Sequence, residues 1–221
     1  MDINSKKIRD EAKFQVFAHL SKALLVYILS GIISTVVMYN MQITALDKNI
    51  TFNLETAPII YFIMLVGIII NLPLEFCARR FYLILSRQSP FEPIPLKRFF
   101  EPFEKPSFLL KGTALLFITS ILNAFGIFVL YFPVYLAFFS SVFVLADNPE
   151  LSVFEAMKRS AKLMKGNKMF AFKTLIPLFA VYILANVFLA SFYFISFFVT
   201  SVVQIMIFVT LAMIYDKSRQ S

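Results

Sequence analysis

Residues 113–146 read TALLFITSILNAFGIFVLYFPVYLAFFSSVFVLA, 34 residues in a row without a charge. A helix crossing a hydrocarbon core about 30 Å thick needs about 20 residues. The run is therefore long for one crossing and short for two. The choice decides the topology of the whole chain, because it sets the side on which everything after it lies.

The flanking charges settle the choice. Lys and Arg gather in the cytoplasmic loops of membrane proteins. They cluster here at 6–22, at 79–111, at 158–173 and at 217–219. If 113–146 is a hairpin of two spans, twenty of the 21 Lys and Arg residues share one side and only Lys48 lies opposite; with a single span the division is twelve against nine. The reading is a hairpin that turns within 123–133, around Asn123 and Gly126. Extending its first limb back to Phe108, with the Lys111 side chain reaching to the interface, relieves the shortage of length.

Composition agrees that lipid is the second solvent. The chain has 221 residues, 59% of them hydrophobic, and a mean hydropathy of +0.78. Soluble domains run at about 45–50% apolar. A net charge of +8 would suggest nucleic acid in a soluble protein, but here the cations punctuate apolar runs, so no nucleic-acid partner is expected. The one Cys and one His can form neither an internal disulfide nor a Cys/His metal cluster. The 28 Phe residues carry no functional reading.

Other uncharged runs supply the remaining spans. Residues 23–46 are too long for the apolar region of a signal peptide and lack a clear cleavage site, so they read as a retained first span. The loop 47–56 contains the sequon Asn49-Ile50-Thr51, which matters only in a eukaryotic secretory setting. A second span covers 58–76, its helix continuing to Leu85, and 174–215 suffices for two spans joined by a tight turn near Ser191. The expected fold is all-α, a polytopic membrane helical bundle of six transmembrane helices with interfacial amphipathic helices. It forms one domain over 1–221, with both termini in the cytoplasm.

The stretch ADNPELSVFEAMKRSAKLMKGNK, 146–168, supplies the clearest local signal. Ser152 and Glu155 have the S-x-x-E spacing of a capping box, and Gly166 stands where a helix ends, so a helix is predicted over 153–165. At 100° per residue, Val153, Phe154, Ala156, Met157, Ser160, Ala161, Leu163 and Met164 share one half of its circumference. Glu155, Lys158, Arg159, Lys162 and Lys165 share the other. Such a helix suits the cytoplasmic headgroup layer, with Lys158, Arg159, Lys162 and Lys165 facing anionic lipid or an acidic partner. The N-terminal segment shows a similar row at Ile8, Ala12, Val16 and Leu20, which Phe14 and Phe17 interrupt. A third basic segment, 90–111, is broken by Pro93, Pro95, Pro102 and Pro106 and is expected as a structured loop. The pattern suggests three units, 5–85, 90–146 and 150–215, each an interfacial segment followed by two spans.

At LADNPELSVFEAMKRSAKLMKGNKMFAF, 145–172, the chain resembles the family of bacterial integral membrane proteins numbered 975 among domains of unknown function. The resemblance rests on Asp147-Asn148-Pro149, Glu155-Ala156, Ser160 and the run Met164-Lys165-Gly166-Asn167-Lys168, and KKIRDEAKF near the start is similar to that family's opening. The segment after Lys168 departs from the pattern, its LIPLFAVYI lacking the usual Trp. A looser similarity links the chain to the membrane domain of bacterial glycerophosphodiester phosphodiesterases. The resemblance implies a multispan protein of a bacterial cytoplasmic membrane. It implies no activity and no site residues.

Polar side chains within the spans are few: Asn40, Gln42, Asn71, Glu75, Asn123, Asn186 and Gln204. Most read as interhelical hydrogen-bond partners. The one concentrated group is Asn71, Glu75, Arg79 and Arg80. Glu75 precedes Arg79 by four residues, the favourable order for a helical ion pair, and Pro73 frees a backbone carbonyl in the preceding turn. His19 has no second ligand nearby and Cys77 no catalytic partner. No nucleotide-binding loop, nucleophile elbow or zinc-protease motif is present, so neither enzymatic activity nor a cofactor is expected. Two function classes follow. One is a non-enzymatic helper that binds lipid or another membrane protein. The alternative is a small transporter or lipid-handling permease, for which matching Gly or Pro breaks in the repeats would be the sign.

Overall fold

The computed structural model describes residues 5–31, 57–126, 131–189 and 191–220. The described chain is all helical. Helix α1 is Ser5–Ala18, and α2 is described over Leu20–Gly31, bent from α1 by 88°. Helix α3 is Ala57–Arg87. A one-turn helix, α4 (Lys97–Phe100), and a 3-10 turn (Glu101–Glu104) lead into α5, Pro106–Gly126, through a bend of 102°. Then come α6 (Tyr131–Phe138), α7 (Ser141–Asp147), α8 (Val153–Leu163), α9 (Lys168–Phe188) and α10 (Tyr193–Gln220).

Local chemistry accounts for these boundaries. Pro106 opens α5, where its missing N–H costs nothing. Pro93 and Pro95 fall in the irregular 88–96 connection and Pro102 in the 3-10 turn, so the middle basic segment is a loop that holds two short helical turns. Helix α3 passes through Pro73 unbroken for 31 residues, about 46 Å at 1.5 Å each. It extends past Leu85 to Arg87, two residues beyond expectation. Helix α8 stops at Leu163, two residues short of the predicted end. The chain then turns through 164–167, where Gly166 takes the left-handed conformation (φ 93°) foreseen for it. The break between α9 and α10 falls at 189–192, around Ser191 as expected.

The uncharged run of 113–146 folds back on itself. Near the start of α5, Lys111 Nζ donates to the carbonyls of Pro149 (3.1 Å) and Glu150 (3.3 Å), just past the end of α7. The two limbs are therefore antiparallel; α5 stays helical through Asn123 to Gly126, where the turn was expected, and 127–130 lie outside the described residues. The return limb is not one smooth helix but breaks at 139–140.

Two described helices are long and apolar enough to cross a membrane, Lys168–Phe188 and Phe194–Gln220. The number rises to four if each sharply bent pair, Ser5–Ala18 with Leu20–Gly31 and Lys97–Glu104 with Pro106–Leu122, forms one span. Six crossings go beyond that count. Most of the expected first span, and the whole 47–56 loop with its sequon, lie outside the described residues.

The core lies toward the end of the bundle where the charged segments meet. Phe76, Phe81, Tyr82 and Leu85 of α3 are fully buried there, with Ile8, Ala12 and Val16 of α1 packed alongside. That row is the one read from the N-terminal sequence, while Phe14 and Phe17 point outward. Helices α1, α3 and α9 all pack on α10, and Tyr82 stacks on Phe208 at 5.6 Å. At the other end, Val187, Phe188, Phe192, Phe194 and Phe197 are exposed. An apolar surface of that kind suits hydrocarbon.

Gly112 sets how closely α5 approaches α3. A Cβ on it would stand 2.5 Å from the ring of Phe76, which is buried and packed edge-on against Phe108 at 5.1 Å. Gly112→Val should therefore lower stability by about 1–3 kcal/mol through overpacking, read as a lower Tm in detergent. Adding Phe76→Leu should restore part of the loss.

Candidate functional site

The candidate site is built where the long helices end. Asp147, the last residue of α7, accepts a two-pronged pair of bonds from Arg87, the last residue of α3, both at 2.8 Å. Arg87 Nε also donates to Asp216 of α10 at 2.9 Å. Arg219 Nη1 (2.8 Å) and the Tyr215 hydroxyl (2.9 Å) complete the shell of Asp147. One carboxylate thus joins the ends of three helices. Paired planar guanidinium–carboxylate bonds are strong and direction-specific.

Around this knot the other polar segments close in. Gln15 Nε2 donates to the Gln88 carbonyl (3.0 Å) and Lys22 Nζ to that of Ile94 (2.6 Å). Lys217 lies 3.9 Å from Glu11. Arg80 reaches Glu101 (2.8 Å) and the Arg98 carbonyl (3.1 Å). The cation-rich segments flanking the apolar runs therefore meet at one end of the bundle.

Helix α8 docks onto this end. The capping box forms: Glu155 N donates to Ser152 Oγ (3.3 Å) and Ser152 N to Glu155 Oε2 (2.9 Å). The N–H and hydroxyl of Ser152 hold the Glu155 carboxyl below the usual carboxylate range. A depressed carboxyl stabilises above its unfolded value, so this contribution is lost as pH falls through the lowered one. Ala156, Met157, Ser160 and Met164 are buried against the bundle. Ser160 Oγ donates to the Ala137 carbonyl and lies 2.7 Å from Ser140 Oγ, at the break between α6 and α7. With the Ser160 proton committed to the carbonyl, Ser140 is the donor of the pair. The face whose pattern suggested lipid is thus largely taken up by protein, and Phe154, 72% exposed, is its main free apolar side chain.

On the outer face of α8, Lys158, Arg159 and Lys162 are exposed, as is Lys165 in the turn that follows. Three of the four, Arg159, Lys162 and Lys165, converge on a cavity of about 640 Å³ that Arg219, Tyr215, Ser218, Asn148, Asn167, Val144 and Leu163 also line. Lys158 lies outside it. The second expected cluster does not converge. Glu75 pairs with Arg79 (Nε to Oε1, 3.1 Å), whose guanidinium sits 5.5 Å over the Phe208 ring. Arg80, a step further round the helix, turns to Glu101 instead. Asn71 Oδ1 is shielded and has no partner among the described residues. His19 is buried at the bend between α1 and α2, and Cys77 lies in the core. Among the described residues no three His, Cys, Asp or Glu side chains are grouped to hold a metal ion.

Arg87, Asp147, Tyr215, Asp216 and Arg219 were not picked out from the sequence as a site. A usable signal existed: Asp147 and Asp216 each stand first after an uncharged run. Compared with protein-family models, with curated proteins and with solved structures, the chain matches none.

Asp147→Asn should cost about 2 kcal/mol, since it weakens charge-assisted bonds from Arg87 and Arg219 in a half-shielded site. Lys97→Gln removes only an exposed 3.7 Å pair with Glu104 and should stay within about 0.5 kcal/mol. Thermal unfolding of both variants in detergent checks the contrast.

Proposed function

We propose that the chain is a multi-pass protein of a bacterial cytoplasmic membrane, a non-enzymatic helper that binds lipid or another membrane protein. The observation that carries this reading is the meeting of the Lys- and Arg-rich segments at one end of the bundle, held by Arg87, Asp147, Asp216 and Arg219. The positive-inside rule makes that end cytoplasmic. Both ends of the sequence then lie in the cytoplasm, and the crossings are 23–46, α3, α5, 131–147, α9 and α10. The bends of 88° and 102° suit short segments lying in the interface ahead of a crossing. Membership of the family that 145–172 resembles belongs to the same proposal.

A specific observation favours the alternative, a small transporter or lipid-handling permease. Asn71 Oδ1 lacks a partner among the described residues, one turn before Glu75. An unsatisfied shielded polar atom beside an ionisable group is a place for an ion or proton. Against it stands the Glu75–Arg79 bond, which leaves Glu75 neutralised within its own helix.

Two measurements separate these readings. With Cys77 replaced, single cysteines at Ser152 and Phe125 should label from opposite faces of the membrane; labelling from one face overturns the hairpin crossing. Glu75→Gln and Arg79→Gln should behave alike, each costing about 0–1 kcal/mol and leaving growth of a deletion strain supported. A folded Glu75→Gln protein that alone fails to support growth would favour transport.

A further inference from the structure

The cavity beside α8 has an unusual wall. Its lining holds four cationic side chains, Arg159, Lys162, Lys165 and Arg219, and no carboxylate. The nearby acids are already engaged: Asp147 with Arg87 and with the lining residues Arg219 and Tyr215, Asp216 with Arg87, and Glu155 with Ser152. Among the described residues Lys162 and Lys165 have no acidic partner within ion-pair distance. Two of the four cations, Arg159 and Lys162, come from α8, Lys165 from the turn that follows it, and Arg219 from the end of α10. Arg219 is already paired with Asp147, so the exposed Arg159, Lys162 and Lys165 are the cations left to meet an anion in the hollow.

The surroundings narrow the anion. Asn167, the N-cap residue of α9, makes no side-chain cap; its amide donates back to the Leu163 carbonyl. The positive end of a 21-residue helix thus opens at the cavity wall without a capping acceptor. Arginine forks and lysine ammonium groups around a helix N-terminus match a group with several charged oxygens. Val144 and Leu163 add an apolar wall, and about 640 Å³ exceeds what a bare oxyanion fills.

We propose that this cavity binds a phosphate group, carried on an anionic lipid headgroup or free in the aqueous phase. The cations neutralise the phosphate, and the apolar wall takes the first carbons of whatever bears it. Arrival from the inner leaflet rests on the cytoplasmic reading above; the chemistry of the cavity does not.

The test uses the full chain in nanodiscs. Phosphatidic acid retained from a phosphatidylcholine bilayer is counted by native mass spectrometry, and inorganic phosphate is titrated calorimetrically in neutral nanodiscs. Three proteins are compared: wild type, the triple variant Arg159→Gln/Lys162→Gln/Lys165→Gln, and a control, Lys6→Gln/Lys7→Gln/Lys13→Gln, that removes the same charge from exposed sites on α1. The expected result is saturable binding by wild type, weakened on the order of tenfold or more by the first triple and about twofold or less by the second. Enrichment of phosphatidic acid without phosphate binding assigns the source to lipid; phosphate binding without enrichment assigns it to the aqueous phase. Equal loss in both triples, or no saturable binding of either probe, overturns the site. If the first triple fails to fold, Lys162→Gln alone serves, with a severalfold loss expected and an unchanged affinity overturning the proposal. Cysteine labelling from the wrong face would overturn the cytoplasmic reading while leaving the phosphate titration intact.

Discussion

The carboxylate of Asp147 is the point on which the arrangement of helices depends. Two guanidinium groups and a phenol hydroxyl converge on it from α3 and α10. Long apolar helices in lipid gain little from burying one another's hydrocarbon surface, since the tails around them are as apolar as Leu. Their relative height must come from something directional. A bidentate Arg–carboxylate pair is directional, and it is stable only where the charges keep contact with water or one another. Arg87, Asp147 and Asp216 therefore bring the ends of α3, α7 and α10 to one level.

That level organises the segments between the helices. Lys111 ties the start of α5 to the chain just after Asp147, which closes the hairpin. Ser160 inserts α8 at the break between α6 and α7, where bending has exposed the Ala137 carbonyl to an outside donor. The hydroxyl is small enough to reach it without opening the packing around Ala156 and Met164. Because the apolar side of α8 is committed to protein, its basic side is presented at a fixed angle. Arg159, Lys162 and Lys165 then face Arg219 across a cavity.

Much of this was legible as pattern. The capping box at Ser152 and Glu155, the left-handed Gly166, the Glu75–Arg79 spacing and the buried row Ile8, Ala12 and Val16 are local, since each depends on residues a turn or two apart. Other elements were not. The four residues Asn71, Glu75, Arg79 and Arg80 look like one cluster in sequence, yet Arg80 points about 100° away from Arg79 on the helix and meets Glu101. Hydrophobic periodicity marked one face of α8 as apolar but could not say whether lipid or protein lies beneath it. Both solvents select the same residues.

By itself the sequence determined the class of fold, all-helical with uncharged runs; two described helices are long and apolar enough to cross a membrane, where a helix satisfies its own backbone. It also marked some helix ends, such as the capped start of α8 at Ser152 and the turn at Gly166, because caps and glycines act over one turn. The tertiary structure alone decided which cations are spent and which are left open. Arg87 and Arg219 lie 132 positions apart, and Arg159 and Arg219 lie 60 apart. No local rule relates them. Pairing between such residues is set by the helix packing that brings chain ends together, and charge neutralisation is decided by distance in space.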